Sequence, residues 1–396
     1  MYARTHIYGL IIFGAGLFAG CSQEDVTLKD TPEPEEPIAI SFAAEGDYET
    51  RESYNSKRAS YLGAMNSEDL CTTGFGVFAS LADNKPDMMY NQEVKFTFVG
   101  DMLDPLKGYW SYEPLKYWPN NIGNLTDFFI SAYAPYQELP IPTPAPEDPE
   151  LTGIIGISTN NTDPYVMYHR CEKPEECVDL LWYFEKPTAI PAATAEHVAG
   201  TLDMKMRHAL ARLEVNVSLA AAQPEGTKVL IDSISLTGRM AKTGKLHLYE
   251  QTTDTISKSP LEVKYYPVWS NQVFDKDGGG DNVDHTIVID NDDNNALSYG
   301  IIDAQVRYID GLPYAWQPKG LTTEPQNALS TGDRKTYVYL IPQDSPLILT
   351  VKVRYHKMTS STNVMGIKTT TAATTTVTNP LRGNTTYSLN LSLRDI

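Results

Sequence analysis

The residues that could carry out chemistry in this 396-residue chain are few and scattered. Its seven histidines are His6, His169, His197, His208, His247, His285 and His356. No two of them have the spacing of metal ligands on one helix or strand. The sequence also lacks the G-x-S-x-G, P-loop, HExxH and GxGxxG motifs, and its carboxylate pairs lie mostly in polar stretches. We therefore predict that the chain is not an enzyme and holds no cofactor and no metal, unless carboxylates converge in space.

One acidic stretch, residues 275–284, invites comparison with a calcium-binding loop. Its aspartates are Asp275, Asp277, Asp281 and Asp284. An EF-hand loop needs a ligand-bearing residue at its fifth position and a glutamate at its twelfth. Those two positions hold Gly279 and Thr286. We therefore interpret residues 274–295 as a flexible acidic loop rather than as a metal site.

The four cysteines are Cys21, Cys71, Cys171 and Cys177. Cys171 and Cys177 lie close enough in sequence to close a small disulfide loop in an oxidising compartment. Spacing alone does not establish the geometry of a disulfide, so a bonded pair and two thiols both stay open. We interpret Cys71 as a buried small apolar residue rather than as a nucleophile.

The N-terminus has the features of an export signal. Arg4 is followed by an apolar run from Ile7 to Gly20, which is too short to span a bilayer. The run ends in Leu17-Phe18-Ala19-Gly20-Cys21 and resembles a bacterial lipobox. Residues 1–20 are thus predicted to be a signal peptide, and Cys21 to carry an acyl anchor such as palmitate in the outer membrane. Because Phe18 stands where leucine is usual, a plain secretory signal is the alternative.

The segment after Cys21 has the composition of a tether. Ser22-Gln23-Glu24-Asp25 resembles the surface-export signal of Bacteroidetes lipoproteins. The run from Thr31 to Pro37 is rich in proline and glutamate, which is typical of an extended linker. We therefore predict that residues 21–37 form a lipidated linker that holds the protein at the cell surface.

The elements that must position these residues are mostly β-strands. Apolar and polar residues alternate strictly in segments such as 213–219 and 387–394, and they alternate over most of 347–356. This period of two predicts antiparallel sheets with one buried face, and therefore an all-β sandwich architecture. The proline-containing stretch 186–200 is the predicted domain junction. The threonine-rich stretch 369–378 is predicted to be a strand near a sheet edge.

The first of these alternating strands stands just before a polar loop. Ile38, Ile40, Phe42 and Ala44 share one face, and that face must be buried in a sheet. The loop that follows contains Arg51, where a protease of trypsin-like specificity could cut.

A second stretch, from Tyr109 to Pro119, is rich in tyrosine and tryptophan. It could stack sugars on exposed rings or serve as scaffold for long loops, and we favour the scaffold.

Several motifs follow one another in a fixed order along the chain. They are Gly76-Val77-Phe78-Ala79, Tyr90-Asn91-Gln92-Glu93-Val94, Trp110-Ser111-Tyr112-Glu113-Pro114, Tyr117-Trp118-Pro119, Phe128-Phe129-Ile130-Ser131-Ala132-Tyr133-Ala134-Pro135-Tyr136, Arg207-His208-Ala209-Leu210-Ala211-Arg212-Leu213, Leu340-Ile341-Pro342-Gln343 and Gly383-Asn384-Thr385-Thr386-Tyr387. Their order resembles the Bacteroidales fimbrillins, the lipoprotein precursors of type V pilus subunits. The resemblance implies two transthyretin-like antiparallel β-sandwich domains in tandem, which we place at residues 38–195 and 196–396. It also implies a location at the outer membrane and in a fimbria at the cell surface.

The resemblance further implies a mechanism of assembly. A surface protease specific for arginine cuts after Arg51, or after Arg58 as the alternative, and the strand of residues 38–44 leaves with the lipid anchor. A strand from another fimbrillin subunit then fills the groove by β-augmentation. The expected partners are therefore other subunits, the protease and, through Cys21, the membrane lipid. A nucleic-acid partner is not expected, because the formal net charge is −18.

The resemblance also bears on the position of the subunit in the pilus. Stalk subunits of the family continue past their last tyrosine-led strand into a donor appendage, whereas this sequence stops at Ile396, at the end of that strand. We therefore expect a tip or accessory subunit that mediates adhesion. The alternative is a surface lipoprotein that does not polymerise and binds a glycan or another host ligand.

Overall fold

The computed structural model describes residues 37–45, 65–81, 88–99, 106–119, 128–139, 152–159, 163–171, 177, 179–225, 227–256, 262–290, 308–309, 312–313, 323–324, 326–327, 337–358, 364–377 and 381–394. The predictions for Cys21, Arg51, Arg58 and the signal peptide concern residues outside these ranges. Within the described residues, no helix is both long and apolar enough to cross a bilayer.

Strands dominate the described residues, which confirms the predicted all-β class. In chain order the first strands are β1 (Ser41–Glu45), β2 (Phe75–Leu81), β3 (Met89–Phe98), β4 (Gly108–Ser111), β5 (Phe128–Ala134), β6 (Gly153–Ile157), β7 (Tyr165–His169), β8 (Leu181–Glu185), β9 (Thr201–Lys205), β10 (Arg207–His208) and β11 (Ala211–Leu219). The later strands are β12 (Lys228–Gly238), β13 (Ala241–Ile256), β14 (Glu262–Phe274), β15 (His285–Asp290), β16 (Tyr308–Ile309), β17 (Leu312–Pro313), β18 (Gln326–Asn327), β19 (Val338–Leu340), β20 (Leu347–Met358), β21 (Val364–Val377) and β22 (Thr385–Leu393). A short helix, α1 (Ser67–Thr73), stands between β1 and β2.

Burial follows the alternation of the sequence. In β22, Leu389, Leu391 and Leu393 are buried, and the residues between them are exposed. The threonine-rich stretch lies in β21, at one edge of the sheet β15-β12-β20-β21, as predicted. The predicted acidic loop at residues 274–295 is only partly a loop. Its residues His285–Asp290 form β15, because Ile287 and Ile289 are buried against the neighbouring strand β12.

The strands form several sheets, most of them antiparallel. The largest has the order β10-β8-β5-β2-β3-β4, and two others have the orders β14-β13-β7-β6 and β15-β12-β20-β21. β11 pairs with β18, β19 and β22, and its pairing with β22 is parallel along nine residues. β1 pairs in parallel with β9. The two terminal strands are therefore each added in parallel to a strand from another part of the chain.

Buried side chains form three clusters, which we call the first, middle and second cores. The first core includes Ile40, Phe42, Phe75, Ile130, Leu202 and Met204. The second core is built largely from β11, β12, β20 and β22. The middle core takes Trp182 from before the predicted junction and Leu246 from after it. Residues Ile38–Ile396 group into one compact unit, and the division predicted at residues 195 and 196 stays a prediction.

A buried charged pair ties the start of α1 to β10. His208 Nδ1 lies 2.6 Å from Asp179 Oδ2, and both side chains are almost fully buried. The same carboxylate oxygen accepts a hydrogen bond of 2.9 Å from the backbone N–H of Met65. Burial by itself would raise the pKa of Asp179. The charge and hydrogen bond of His208, the Met65 N–H and the Arg212 charge outweigh burial and hold that pKa below its usual value.

We predict that Asp179→Asn lowers the free energy of unfolding by about 3 kcal/mol at neutral pH, because it leaves a buried pair broken. Since the folded pKa of Asp179 is depressed, its contribution is present above about pH 4 and is lost as the pH falls through the folded pKa. Urea unfolding of both proteins between pH 7 and about pH 2 measures the effect. Asp344→Asn, at an exposed position, is the control. An identical acid dependence in wild type and Asp179→Asn would contradict this assignment.

Candidate functional site

The site of interest is the position of β1, which lies between β9 and the segment 116–118. On the first side, β1 and β9 are paired over their full length, from Ser41 opposite Thr201 to Glu45 opposite Lys205. Two hydrogen bonds continue the ladder. The Ser41 N–H donates to the carbonyl of Gly200 at 3.0 Å, and the Met206 N–H donates to the carbonyl of Glu45 at 2.9 Å. The chain is therefore bonded to this neighbour along the whole strand.

On the second side, hydrogen bonds hold residues 38–40, which directly precede β1. The Ile40 N–H donates to the carbonyl of Lys116, and the Trp118 N–H donates to the carbonyl of Ile38, both at 2.9 Å. The Tyr112 hydroxyl donates to the carbonyl of Ile40 at 2.8 Å. Residues 38–40 are thus bonded to one neighbour, and Ser41–Glu45 are bonded to the other. We call the space that residues 38–45 occupy the β1 groove.

Three of the four side chains predicted to face inward are buried in the first core. Ile40, Phe42 and Ala44 are 0%, 6% and 9% exposed. The prediction for Ile38 was wrong, because its side chain is 37% exposed. Ile38 precedes the ladder with β9, and its Cγ2 atom lies against the bare backbone of Gly200 at the mouth of the groove. Its remaining surface faces solvent.

The aromatic stretch forms one wall of this groove. Trp118 is 2% exposed, and its Nε1 donates to the carbonyl of Gly200 at 2.9 Å. Tyr112 is also buried, and its ring centroid lies 5.5 Å from that of Phe42. Because the Trp118 ring is inside the protein, it is not placed to stack a sugar. The contacts agree with the scaffold interpretation and tie this segment to the first strand, a link that sequence reasoning missed.

Gly200 sits where the two walls and β1 come closest together. Its φ is +84°, a backbone conformation that favours glycine. A Cβ atom at this position would lie 2.5 Å from the carbonyl oxygen of Ala39 and 2.9 Å from Trp118 Nε1. Because Gly200 has no side chain, residues 38–40 can lie close to Gly200 and Trp118. A larger residue here would separate the strand from both.

A continuous series of aromatic contacts leads away from the groove. Neighbouring ring centroids are 5.8 Å apart for Phe42 and Phe75, and 4.8 Å apart for Phe75 and Trp110. The series continues from Trp110 to Phe96 at 5.0 Å and from Phe96 to Phe98 at 5.1 Å. Rings in this range attract one another beyond simple area burial. We call these five residues the aromatic series.

The other candidate residues are placed away from the groove. Cys171 and Cys177 are both buried in the middle core. Their pairing stays a prediction. Cys71 is buried on α1, as predicted, and burial together with the Glu68 charge raises the pKa of its thiol to about 12. A thiol with that pKa is a poor nucleophile at neutral pH.

Two polar clusters bear on the question of a metal site. Asp275 is engaged by Arg170 at 2.9 Å and lies 3.4 Å from His285 Nδ1. Elsewhere, the structure brings together Asp163, His247 and Glu250. Sequence spacing did not predict this group, because Asp163 is far from the other two residues in the sequence. The Nζ atom of Lys245 lies 2.9 Å from the Asp163 carboxylate and supplies the positive charge there. Neither cluster adds an observation that points to a bound ion.

Comparison with known proteins gives similarities of structure. No protein-family model and no curated protein matches the chain. A fimbrial protein from Bacteroides vulgatus is similar over 90% of this chain and 95% of its own, with 16% identity and a TM-score of 0.47. A provisionally assigned cell adhesion protein from Bacteroides ovatus is similar over 90% and 92%, with 11% identity and a TM-score of 0.37. A second such protein, from Bacteroides uniformis, is similar over 86% and 98%, with 10% identity and a TM-score of 0.34.

The close approach at Gly200 gives a test of how tightly β1 is held. We predict that Gly200→Ala loosens β1 and lowers the free energy of unfolding by at least about 2 kcal/mol more than Gly280→Ala does. Gly280 is a matched control, because its φ is +91° and no atom lies within 4 Å of its Cβ position. Gly280→Ala should therefore show only the backbone cost, about 1 kcal/mol.

Urea unfolding measures both costs, and hydrogen exchange at the amides of Ser41 and Ala43 reports the local loosening. Equal costs for the two variants, with unchanged exchange in β1, would contradict the proposed fit at the groove.

Proposed function

We propose that this chain is the precursor of a fimbrial subunit, in which β1 is a placeholder strand that proteolysis releases and a strand of another subunit replaces. One observation carries the proposal. Residues 38–40 are bonded through their main chain to the segment 116–118, Ser41–Glu45 are bonded in the same way to β9, and Ile40, Phe42 and Ala44 are buried in the first core. Main-chain bonds are available to any extended strand, and pockets for alternate side chains select among strands. Another strand of suitable pattern could therefore occupy the same groove.

The ends of the predicted cleavage segment support this proposal. On one side, the carbonyl of Glu45 accepts the Met206 N–H. On the other side, Met65 is 3% exposed and its N–H is bonded to the buried Asp179. A cut after Arg51 or Arg58 falls between these two anchored points. The chain from Met65 onward would keep its own contacts when the preceding strand leaves.

The binding energy of the strand is compatible with exchange. Full burial of side chains such as Ile40 and Phe42 contributes about 1.5–3 kcal/mol each. Once the chain is cut, these contributions and a short ladder of hydrogen bonds are all that hold the fragment. A competing strand that makes the same main-chain bonds and fills the pockets at least as well can displace it.

The pairing and burial of β22 support a subunit that accepts a strand from a neighbour and donates none. This is the role that the sequence resemblance implies for a tip or accessory subunit. β22 is paired with β11 along nine residues. Its three buried leucines belong to the second core. A strand so fully used by its own sheet is poorly suited to donation. We therefore keep the tip or accessory position, and a part in cell adhesion, within this proposal.

The proposal includes the setting in which exchange would occur. Lipid attached at Cys21 would hold the precursor at the outer membrane, and an arginine-specific protease at the surface would make the cut. The partners would be other fimbrial subunits rather than a nucleic acid or a small-molecule substrate. The role is structural, and no catalytic step by this chain is required.

A second candidate function rests on an open cleft of about 800 Å³ between β8, β9 and the β13–β14 hairpin. Partly exposed rings of Tyr249 and Tyr265 line it beside the carboxylates of Asp203 and Glu250. Rings next to carboxylates are suited to a glycan, so a ligand-binding surface lipoprotein would use this cleft rather than Trp118. A glycan array that gives no signal, together with incorporation into a polymer, would exclude this alternative.

The site of cleavage is the first test of the proposed function. Treatment of the purified lipoprotein with an arginine-specific protease should produce a new N-terminus at Glu52, and Arg51→Gln should abolish that product or shift it to Ala59. Arg58→Gln is the control and should leave cleavage after Arg51 unchanged. N-terminal sequencing measures the outcome. If material shed in the presence of the protease retains Cys21, the placeholder role is wrong.

Retention of the fragment after cleavage is the second test. We predict that Phe42→Ala weakens binding of the cut strand by about 3 kcal/mol, or roughly 100-fold, because it empties a buried pocket. Ser41→Ala, at an outward-facing position of the same strand, should change the affinity far less. The release rate of a fluorescently labelled fragment measures both. Equal release rates for the two variants would count against the pocket as the basis of binding.

A further inference from the structure

The β3–β4 hairpin has one aromatic face that the protein leaves partly uncovered. Phe96 pairs with Trp110, and Phe98 pairs with Gly108, so these positions share one face of the hairpin. Phe98 is 54% exposed, whereas Phe96 and Trp110 are half-buried. A Cβ atom at Gly108 would lie 2.6 Å from the ring of Phe96, so the ring lies directly over the glycine. The result is an aromatic surface at the end of the hairpin.

This face is continuous with the β1 groove. It is the outer end of the aromatic series, whose inner end is Phe42 of β1. Isolated exposed apolar residues are common on protein surfaces and need no partner. Phe98 is different, because an unbroken series of ring contacts joins it to a strand position in the core. Tyr109 of the same hairpin is 55% exposed but lies on the opposite face.

The direction of β1 leads toward this face. Ala39 pairs in antiparallel orientation with Tyr117, so the chain that advances along β1 follows residues 112–117 backward toward β4. β1 also contacts β4. Ala44 is the last inward residue of β1, and the next alternate position in the sequence is Gly46. This chain therefore supplies no apolar side chain at the position that follows Ala44 in the inward series.

We propose that the exposed face of the β3–β4 hairpin is a second docking surface for the strand that replaces β1. Its occupant is a donor strand from a second fimbrial subunit that carries a bulky apolar side chain two residues beyond the position of Ala44. This inference rests on the proposed function and adds a requirement for the partner. The incoming strand needs an aliphatic, an aromatic, a small and then a bulky apolar residue at alternate positions.

A docking surface on the hairpin would favour replacement of β1 by the donor strand over the reverse exchange. The native sequence has a small residue, Ala44, and then a glycine, Gly46, at these alternate positions, so it offers no bulky side chain there. A donor with a large apolar residue at that position buries additional area on Phe96, Phe98 and Trp110. Such a donor binds more tightly, because the free energy of transferring that side chain from water to the apolar surface adds to the binding free energy. The precursor strand is therefore retained well enough to complete the fold and is still displaced by a better-matched strand.

The test uses three synthetic peptides and the full chain, in which residues 51–58 are replaced by the recognition sequence of a sequence-specific protease. After cleavage and removal of the N-terminal fragment, fluorescence anisotropy measures the affinity of each peptide. The first peptide has the native sequence of residues 38–49. The other two carry Gly46→Ala, which controls for backbone freedom, and Gly46→Leu. We expect the Gly46→Leu peptide to bind about tenfold more tightly than the Gly46→Ala peptide.

The protein variants assign that gain to the hairpin face. Phe98→Asp should abolish the advantage of the Gly46→Leu peptide, and Tyr109→Asp, at matched exposure on the other face, should preserve it. Phe98→Thr repeats the test if Phe98→Asp does not fold. The proposal is overturned if the Gly46→Leu and Gly46→Ala peptides bind equally, if the advantage survives both Phe98 variants, or if Tyr109→Asp removes it as well. If no peptide binds the cut protein, the proposed function itself fails and this inference fails with it.

Discussion

The hydrogen bonds between the first strand and its two neighbours are the interaction on which the rest of the structure depends. They fix residues 38–45 between β9 and the segment 116–118, and they place Ile40 and Phe42 in the first core. The same bonds set the requirements of the surrounding residues. Gly200 must lack a side chain, Trp118 must be buried, and Tyr112 must turn its hydroxyl toward the strand. A short strand thus restricts which residues can occupy positions 112, 118 and 200, which are far from it in the sequence.

The buried side chains of the first strand all belong to the first core, so loss of this strand would affect that core most directly. The buried pair of Asp179 and His208 holds Met65 through a hydrogen bond in which β1 takes no part. The middle core joins residues from both sides of the predicted junction. Removal of β1 would therefore open one side of the first core, while the packing of the middle and second cores stays in place. Such a division would suit the strand exchange that we propose, in which one strand is replaced and the rest of the fold is kept.

Local pattern was sufficient to predict the strands but not their partners. The alternation in β11 and β22, the edge position of the threonine-rich strand and the burial of Phe42 all follow from neighbouring residues. The pairing of β1 with β9 is non-local, and nothing in either segment specifies the other, so it could not be predicted. Ile38 was misplaced for the same reason, because the alternation has no marker for where the ladder begins. The grouping of Asp163 with His247 depends on the contact between β7 and β13, which sequence spacing does not encode.

The parallel pairing of β1 with β9 has a consequence for the order of folding. β1 is the first strand among the described residues, and its partner follows in the second half of the sequence. Closing so long a loop is entropically costly, and contacts of high sequence separation tend to form late. During folding the groove would therefore be assembled before its own strand arrives. In that interval, the peptide chain that joins β1 to the rest of the protein gives β1 a high local concentration near the groove. Strands from other molecules lack this advantage, and β1 would lose it if the chain were cut.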